Sequence, residues 1–166
     1  MEKSGIGLAW DFFNPGHPRP NFVNHIEDRD LWRWKFKHSR EFCAYVDMLP
    51  HDFREWHILM DSGMYDNIIE VGAGIVKHTD NQIKDTVSRA SSFNFAGKHF
   101  GCVNTDQNIS RVGNVLSGTC DIAVIWYYDE KNDSTKFSLR TNKDDIDVSH
   151  MASKFGGGGH SKAAGF

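Results

Sequence analysis

The chain has 166 residues, enough to bury a core without disulfides or a metal and room for one compact unit or at most two. Hydrophobic residues make up 39%, charged residues 25% and aromatics 13%, a composition that excludes wholesale disorder. With 19 Lys and Arg against 22 Asp and Glu the net charge is −3, so the chain is no polycation and any anionic ligand must be gripped locally.

The three cysteines, Cys43, Cys102 and Cys120, are widely spaced and form no Cys-x-x-Cys pair, and they read as buried thiols of a reducing compartment. The opening MEKSGIGLAWDFF has no cationic segment leading an apolar stretch, and no apolar run in the chain is long enough to cross a bilayer. A cytoplasmic location and no membrane partner are the expectation.

All four prolines and four of the five tryptophans fall within the first 56 residues, which points to two parts built differently. Ile6, Trp10 and Phe13 stand at helical spacing before the turn signal Asn14-Pro15-Gly16. Residues 22–26, Phe-Val-Asn-His-Ile, are β-rich and predict a strand that ends in the charged Glu27-Asp28-Arg29-Asp30, ahead of an aromatic cluster at Leu31, Trp32, Trp34 and Phe36. Residues 39–49 predict a helix with Ser39 as N-cap and Pro50 as stop. A longer helix is predicted over 66–90, where Ile69, Ala73, Val76, Ile83, Val87 and Ala90 recur at spacings of four and three around the missing rung Asp80; Gly72 and Gly74 in it permit close packing.

Beyond residue 95 the pattern becomes strand, helix, strand, strand, helix. Residues 98–105 and 120–128 are strands by content, the second almost continuously apolar and so central. Between them Ser110 is the expected cap of a short helix that ends at Gly118. In residues 136–141, Phe137, Leu139 and Thr141 point one way and Ser138 and Arg140 the other, which offers Arg140 to an outer surface or a cleft. Asp147 caps a last helix with Val148, Met151, Ala152 and Phe155 on one face and Gly156 at its end.

Two stretches could carry chemistry. Gly156, Gly157, Gly158 and Gly159 exceed what helix capping needs; their N–H groups can approach an anion closely, with His160 and Lys162 adjacent as donors, although the tract also suits a flexible linker. It is not a nucleotide P-loop, which needs a strand before it and Gly-Lys-Ser/Thr after it. Asp28 and Asp30, two residues apart, share one face of an extended chain and could serve a hard cation such as magnesium or manganese, or simply form a solvated turn.

The segment FSLRTNKDDIDVSHMASKFGGGGHSKAAGF, with Ser-Leu-Arg, Asp-Val-Ser, a short helix, Gly-Gly-Gly-His and Ala-Ala-Gly-Phe in order, closely resembles the C-terminal substrate-binding domain of the DHH phosphoesterase superfamily. Upstream, SGIGLAWDFF resembles the helix that follows the catalytic Asp-His-His motif, and IEDRDLW the next motif, in the branch related to exopolyphosphatase. The resemblance implies an α/β protein: a remnant of an α/β catalytic domain at 1–50, a helical connector at 51–94, and a mixed-sheet substrate-binding domain at 95–166. It implies hydrolysis of phosphodiester or phosphoanhydride bonds in single-stranded nucleic acid, a nucleotide or polyphosphate, with two manganese or magnesium ions. The Asp-His-His triplet and the earlier Asp-x-Asp are absent from these 166 residues, and one counterpart of a metal ligand remains, Asp28 or, second, Asp30. The expectation is therefore a substrate-binding part, inactive alone and holding no ion tightly. Arg140, Gly156 to Gly159 and His160 would form its anion surface, and a homodimer is compatible. A stand-alone nucleic-acid or nucleotide-binding module is the alternative.

Overall fold

The computed structural model describes residues 3–60 and 62–166. Its chain divides into two compact units, Met1–Asp80 and Asn81–Phe166.

The first unit is helical: α1 (Gly5–Phe13), α2 (Asn21–Asp30), α3 (Ser39–Met48), α4 (Phe53–His57), two single 3-10 turns, and the start of α5 (Tyr65–Ser88). The strand expected at 22–26 is a helix instead. Pro20 sits at its N-cap with φ −66°, and Val23, His25, Ile26, Glu27 and Asp28 are buried along it, a helical rather than alternating pattern. The short run of β-branched and aromatic residues was the weaker signal, because local propensity yields to tertiary burial. The core gathers Ile26, Phe42, Cys43, Val46, Leu59 and Ile68.

Two expected caps move by a residue or two. α3 starts from His38 in the left-handed region (φ 67°), which leaves the Ser39 hydroxyl to other work. In α5 the buried stripe of the first unit passes through Ile68 and Gly72, one residue before the expected Ile69 and Ala73; Ala73 is exposed. Gly72 fixes that rotation. A Cβ there would lie 2.0 Å from the carbonyl oxygen of Glu41 in α3, so the two helices touch backbone to side-chain-free backbone.

The second unit is a six-stranded mixed sheet flanked by helices. The strands are β1 (Ser91–Phe95), β2 (Lys98–Asn104), β3 (Ile122–Asp129), β4 (Ser134–Arg140), β5 (Gly158–His160) and β6 (Ala163–Gly165), in the order β1-β2-β3-β4-β6-β5. β2 and β3 are parallel and the other neighbours antiparallel. The crossover between β2 and β3 is α6 (Ile109–Leu116), as a parallel pair requires. Its N-cap is Asn108 (φ 51°), not Ser110. Asp147 does cap α7 (Val148–Ser153), accepting from the N–H groups of Ser149 and His150.

Strand alternation sorts the core into two layers. On one face Val103, Ala123 and Ile125 pack with Val112 and Leu116 of α6 and Ile83 of α5. On the other, Phe100, Ile122, Leu139 and Ala164 pack with Val148 and Ala152 of α7. β1, β5 and β6 add to the strands expected. Cys43 and Cys120 are buried as expected, Cys102 is half-buried, and all three are free. Among the described residues no helix is long and apolar enough to cross a membrane.

Gly72→Ala should lower the stability of the first unit by about 1–3 kcal/mol, because a methyl cannot enter the α3–α5 contact without moving backbone. Gly74→Ala, where an added Cβ meets nothing within 4 Å, should be neutral or stabilising by up to about 1 kcal/mol. Urea denaturation followed by tryptophan fluorescence checks both. Equal midpoints for the two variants would contradict this packing.

Candidate anion-binding site and the Asp28 network

Register places the expected site residues. β4 pairs with β6 so that Arg140 lies opposite Ala163, and β6 pairs with β5 so that Ala163 lies opposite His160. Opposed residues in antiparallel strands project to the same face, so Arg140, Ala163 and His160 form one transverse row. Two strand spacings, about 9.5 Å, separate the outer two Cα atoms. Ser138, Gly165 and Gly158 form the parallel row beside it. An added Cβ at Gly158 meets nothing within 4 Å, so the floor of this face is open.

Arg140 is half-buried and lies across α6. A Cβ on Gly113 would fall 2.6 Å from its Cγ, so that glycine makes the groove the side chain occupies. Nη1 donates to the carbonyl of Leu139 (2.9 Å) and Nη2 to the hydroxyl of Ser110 (3.3 Å). The obvious acidic partners are committed elsewhere: Asp144 pairs with Lys162 at 2.9 Å and Asp145 with Lys98 at 3.2 Å. Among the described residues Arg140 has no carboxylate, and burial pulls its pKa down. A half-buried guanidinium in that state gains from an incoming anion. Ser110 and Gly113, three residues apart on the sheet-facing side of α6, went unread as site residues in the sequence. The signal was a glycine inside a strongly amphipathic helix.

The four glycines divide the work. Gly156 takes φ 80° at the end of α7, and Gly156 and Gly157 donate to the carbonyls of Ser153 and Ala152, so their N–H groups are spent on the helix terminus. A Cβ at Gly157 would lie 2.1 Å from the carbonyl oxygen of Gly165. Gly158 and Gly159 belong to β5, the edge strand. His160 is exposed at the end of that strand.

Asp28 occupies a different setting from the one expected of a metal ligand. In a helix, residues two apart point about 200° from each other, so Asp28 and Asp30 do not share a face: Asp28 is 2% exposed and Asp30 is on the surface. Oδ1 of Asp28 accepts from the N–H of Lys35 (2.9 Å), and Oδ2 accepts from the N–H of Phe36 (3.0 Å) and the hydroxyl of Ser39 (2.7 Å). Because Ser39 gives its one proton to Asp28, Nδ1–H of His25 donates to Ser39 (3.0 Å), leaving Nε2 to accept from the hydroxyl of Tyr65 (3.0 Å). Burial lowers the pKa of His25, in keeping with that neutral tautomer. Glu27 is likewise occupied, by Arg19 (2.8 Å) and the N–H of Ser4 (3.0 Å), and Arg29 pairs with Asp47 (2.7 Å). Among the described residues no group of three or more His, Cys, Asp and Glu comes together to hold an ion. The donor set of these residues does not fit the two-ion centre that the resemblance implies.

What Asp28 holds is the loop after α2. Trp32 (φ 54°) and Trp34 (φ 52°) sit in the left-handed region, which costs a non-glycine residue about 1–2 kcal/mol each. The charge-assisted bonds to Asp28 offset that strain.

Burial raises the pKa of Asp28, but the N–H groups of Lys35 and Phe36 and the Ser39 hydroxyl outweigh it and hold the carboxyl below the usual range. A depressed folded pKa contributes stability above the unfolded value, about 4, and loses it as pH falls through the folded one. Asp28→Asn should therefore cost about 2–4 kcal/mol at neutral pH, and the gap to the parent should narrow as pH drops below about 4. Asp30→Asn should stay within about 0.5 kcal/mol. Urea midpoints across pH 3–7 check this, and an Asp28→Asn protein as stable as the parent at pH 7 would contradict the network.

Comparison with known proteins bears on the second unit first. The DHHA1 domain family matches residues 100–166, a span that contains Arg140, the glycine tract and His160. The chain is 32% identical over 179 aligned positions to the uncharacterized protein R106 of Acanthamoeba polyphaga mimivirus, covering 99% of this chain and 41% of that one. It is 26% identical over 163 positions to the oligoribonuclease NrnB of Bacillus subtilis strain 168, covering 93% and 41%. The chain thus spans about two fifths of the length of these relatives. The fold resembles that of the pGpG-specific phosphodiesterase PggH from Vibrio cholerae, with a TM-score of 0.52 at 12% identity over 95% of this chain and 65% of that one. Residues 100–166 thus match the DHHA1 domain family, in the stretch where the sequence resemblance was read.

Proposed function

We propose that this chain supplies the substrate-binding surface of a metal-dependent DHH phosphoesterase, with residues 95–166 as the binding domain. Arg140, His160 and Gly158 on the same face receive a phosphate of a nucleotide, a short single-stranded oligonucleotide or a polyphosphate, with Gly156, Gly157 and Gly159 shaping the hairpin that presents them. One observation carries the reading: Arg140 is half-buried without a carboxylate and shares a row with His160 on an open, glycine-floored face. A planar guanidinium grips phosphate oxygens in pairs, and an imidazole carried two strands away on the same face can meet the next phosphate or the far side of the same group. Two of the relatives are named for cleaving phosphodiester bonds, an oligoribonuclease and a pGpG phosphodiesterase, which supports that ligand class. Manganese or magnesium would belong to ligands that these residues do not supply.

At low salt, a 5′-phosphorylated single-stranded trinucleotide should bind the parent about 10- to 100-fold more tightly than Arg140→Ala, the worth of one charge-assisted contact at about 1.5–3 kcal/mol. His160→Ala should also lose affinity. Calorimetric titration of three proteins of equal thermal stability tests this, and equal affinities would overturn the proposal. The purified chain incubated with manganese and the same trinucleotide should release no product; metal-dependent hydrolysis would show that the described carboxylates do assemble a centre.

A further inference from the structure

The segment after α2 reads Trp32-Arg33-Trp34-Lys35-Phe36-Lys37-His38, a strict alternation of aromatic and basic residues that neither the fold nor the anion row absorbs. We infer that this loop is a base-stacking contact for single-stranded nucleic acid. The inference rests on the preceding reading in so far as the substrate carries phosphates, and it narrows that substrate to one that carries bases.

The loop's geometry is imposed by the fold. The N–H of Arg33 donates to the carbonyl of Asp28, and those of Lys35 and Phe36 to its carboxylate, so three positions of the loop are tied to one buried residue. Phe36 leans edge-on against His25, with centroids 6.1 Å apart. Trp34, half-buried, meets Trp32 edge to face at 5.4 Å and 72°. Trp32 itself is 47% exposed, an indole braced by Trp34 with nearly half its surface open to solvent. Lys35 and Lys37 are exposed, and among the described residues neither makes an ion pair.

Aromatic faces alternating with cations match the repeat of a single strand, base then phosphate, because every base offers a π-face and every linkage a charge. The complementarity of charge is local, since the chain as a whole carries −3. A purely anionic ligand would need the lysines but would have no use for the indole.

The test is fluorescence anisotropy of the full chain with labelled hexaadenylate and with inorganic polyphosphate, a probe that has charge but no bases. Trp32→Ala should weaken hexaadenylate about 10-fold or more and leave polyphosphate within twofold. Trp32→Phe, which keeps a ring, should retain most of the affinity and guards against a folding artefact. The Lys35→Ala, Lys37→Ala double variant should weaken both probes and reduce the salt slope for hexaadenylate by about 1.4, two contacts at roughly 0.7 each. Unchanged hexaadenylate affinity in Trp32→Ala would overturn the inference, as would an equal loss for polyphosphate. A parent chain that binds hexaadenylate no better than polyphosphate would overturn it too. So would Trp32-dependent binding to phosphatidylserine vesicles stronger than to hexaadenylate, which would identify a lipid surface instead. Arg140→Ala in the same assay separates the two claims. If only Arg140→Ala loses affinity, the anion row stands and this contact falls; if only Trp32→Ala does, the reverse holds.

Discussion

The reciprocal hydrogen bonds between Phe137 and Phe166, 2.8 Å one way and 3.0 Å the other, set the register of the last strand and with it the candidate site. Side chains in a strand alternate with period two, so a slip of one residue would turn Ala163 and His160 to the face of α7 and leave Arg140 alone. Two further contacts hold that register. Phe166 stacks between Phe137 (5.0 Å) and Phe155 (4.7 Å), and Ala164 enters the apolar layer with Leu139 and Val148. Gly157 must be a glycine for the same reason, since any side chain there would strike the carbonyl of Gly165. The tract that looks like a ligand loop in the sequence is thus first a packing device. Gly156 and Gly157 close the helix, Gly159 packs over Ala164, and only Gly158 is left open on the face of Arg140 and His160.

A buried carboxylate governs the first unit in a comparable way. Asp28 is held ionised by donors from backbone and hydroxyl, and its two oxygens fix Lys35, Phe36 and Ser39 at once. Burying a charge is unfavourable unless it is so satisfied, and satisfying it here requires the loop to adopt positive φ at two tryptophans. The conformation of residues 32–38 is in this sense the condition under which Asp28 can be buried. The Tyr65, His25 and Ser39 chain extends that requirement to the start of α5, because each group has one proton to give and one direction in which to give it.

The strands β2, β3 and β4 and helices α3, α6 and α7 were legible because their patterns are long enough to count, down to the capping role of Asp147. Phe22 to Ile26 misled because five residues of aromatic and β-branched character fit either period, and burial by the neighbouring helices decided the matter. β5 could not be read at all: Gly158 and Gly159 carry no strand propensity, and the strand exists because β6 offers it a partner. The chemistry of Arg140 and His160 was visible from residue type. Their shared row was not, since it depends on two registers, nor was the engagement of Asp28, which depends on donors seven, eight and eleven residues away.

The central claim is that a single face of the β4-β6-β5 sheet receives a phosphate. Its most direct measurement is the amide and side-chain chemical-shift map of the 15N-labelled chain titrated with pyrophosphate at low salt. The expected result is a saturable set of shifts at Arg140, including its Nε–H, and at Gly158, Gly159, His160 and Ala163, with Ser110 following through its bond to the guanidinium. Shifts that bypass this row, or a spectrum unchanged by pyrophosphate, would contradict it.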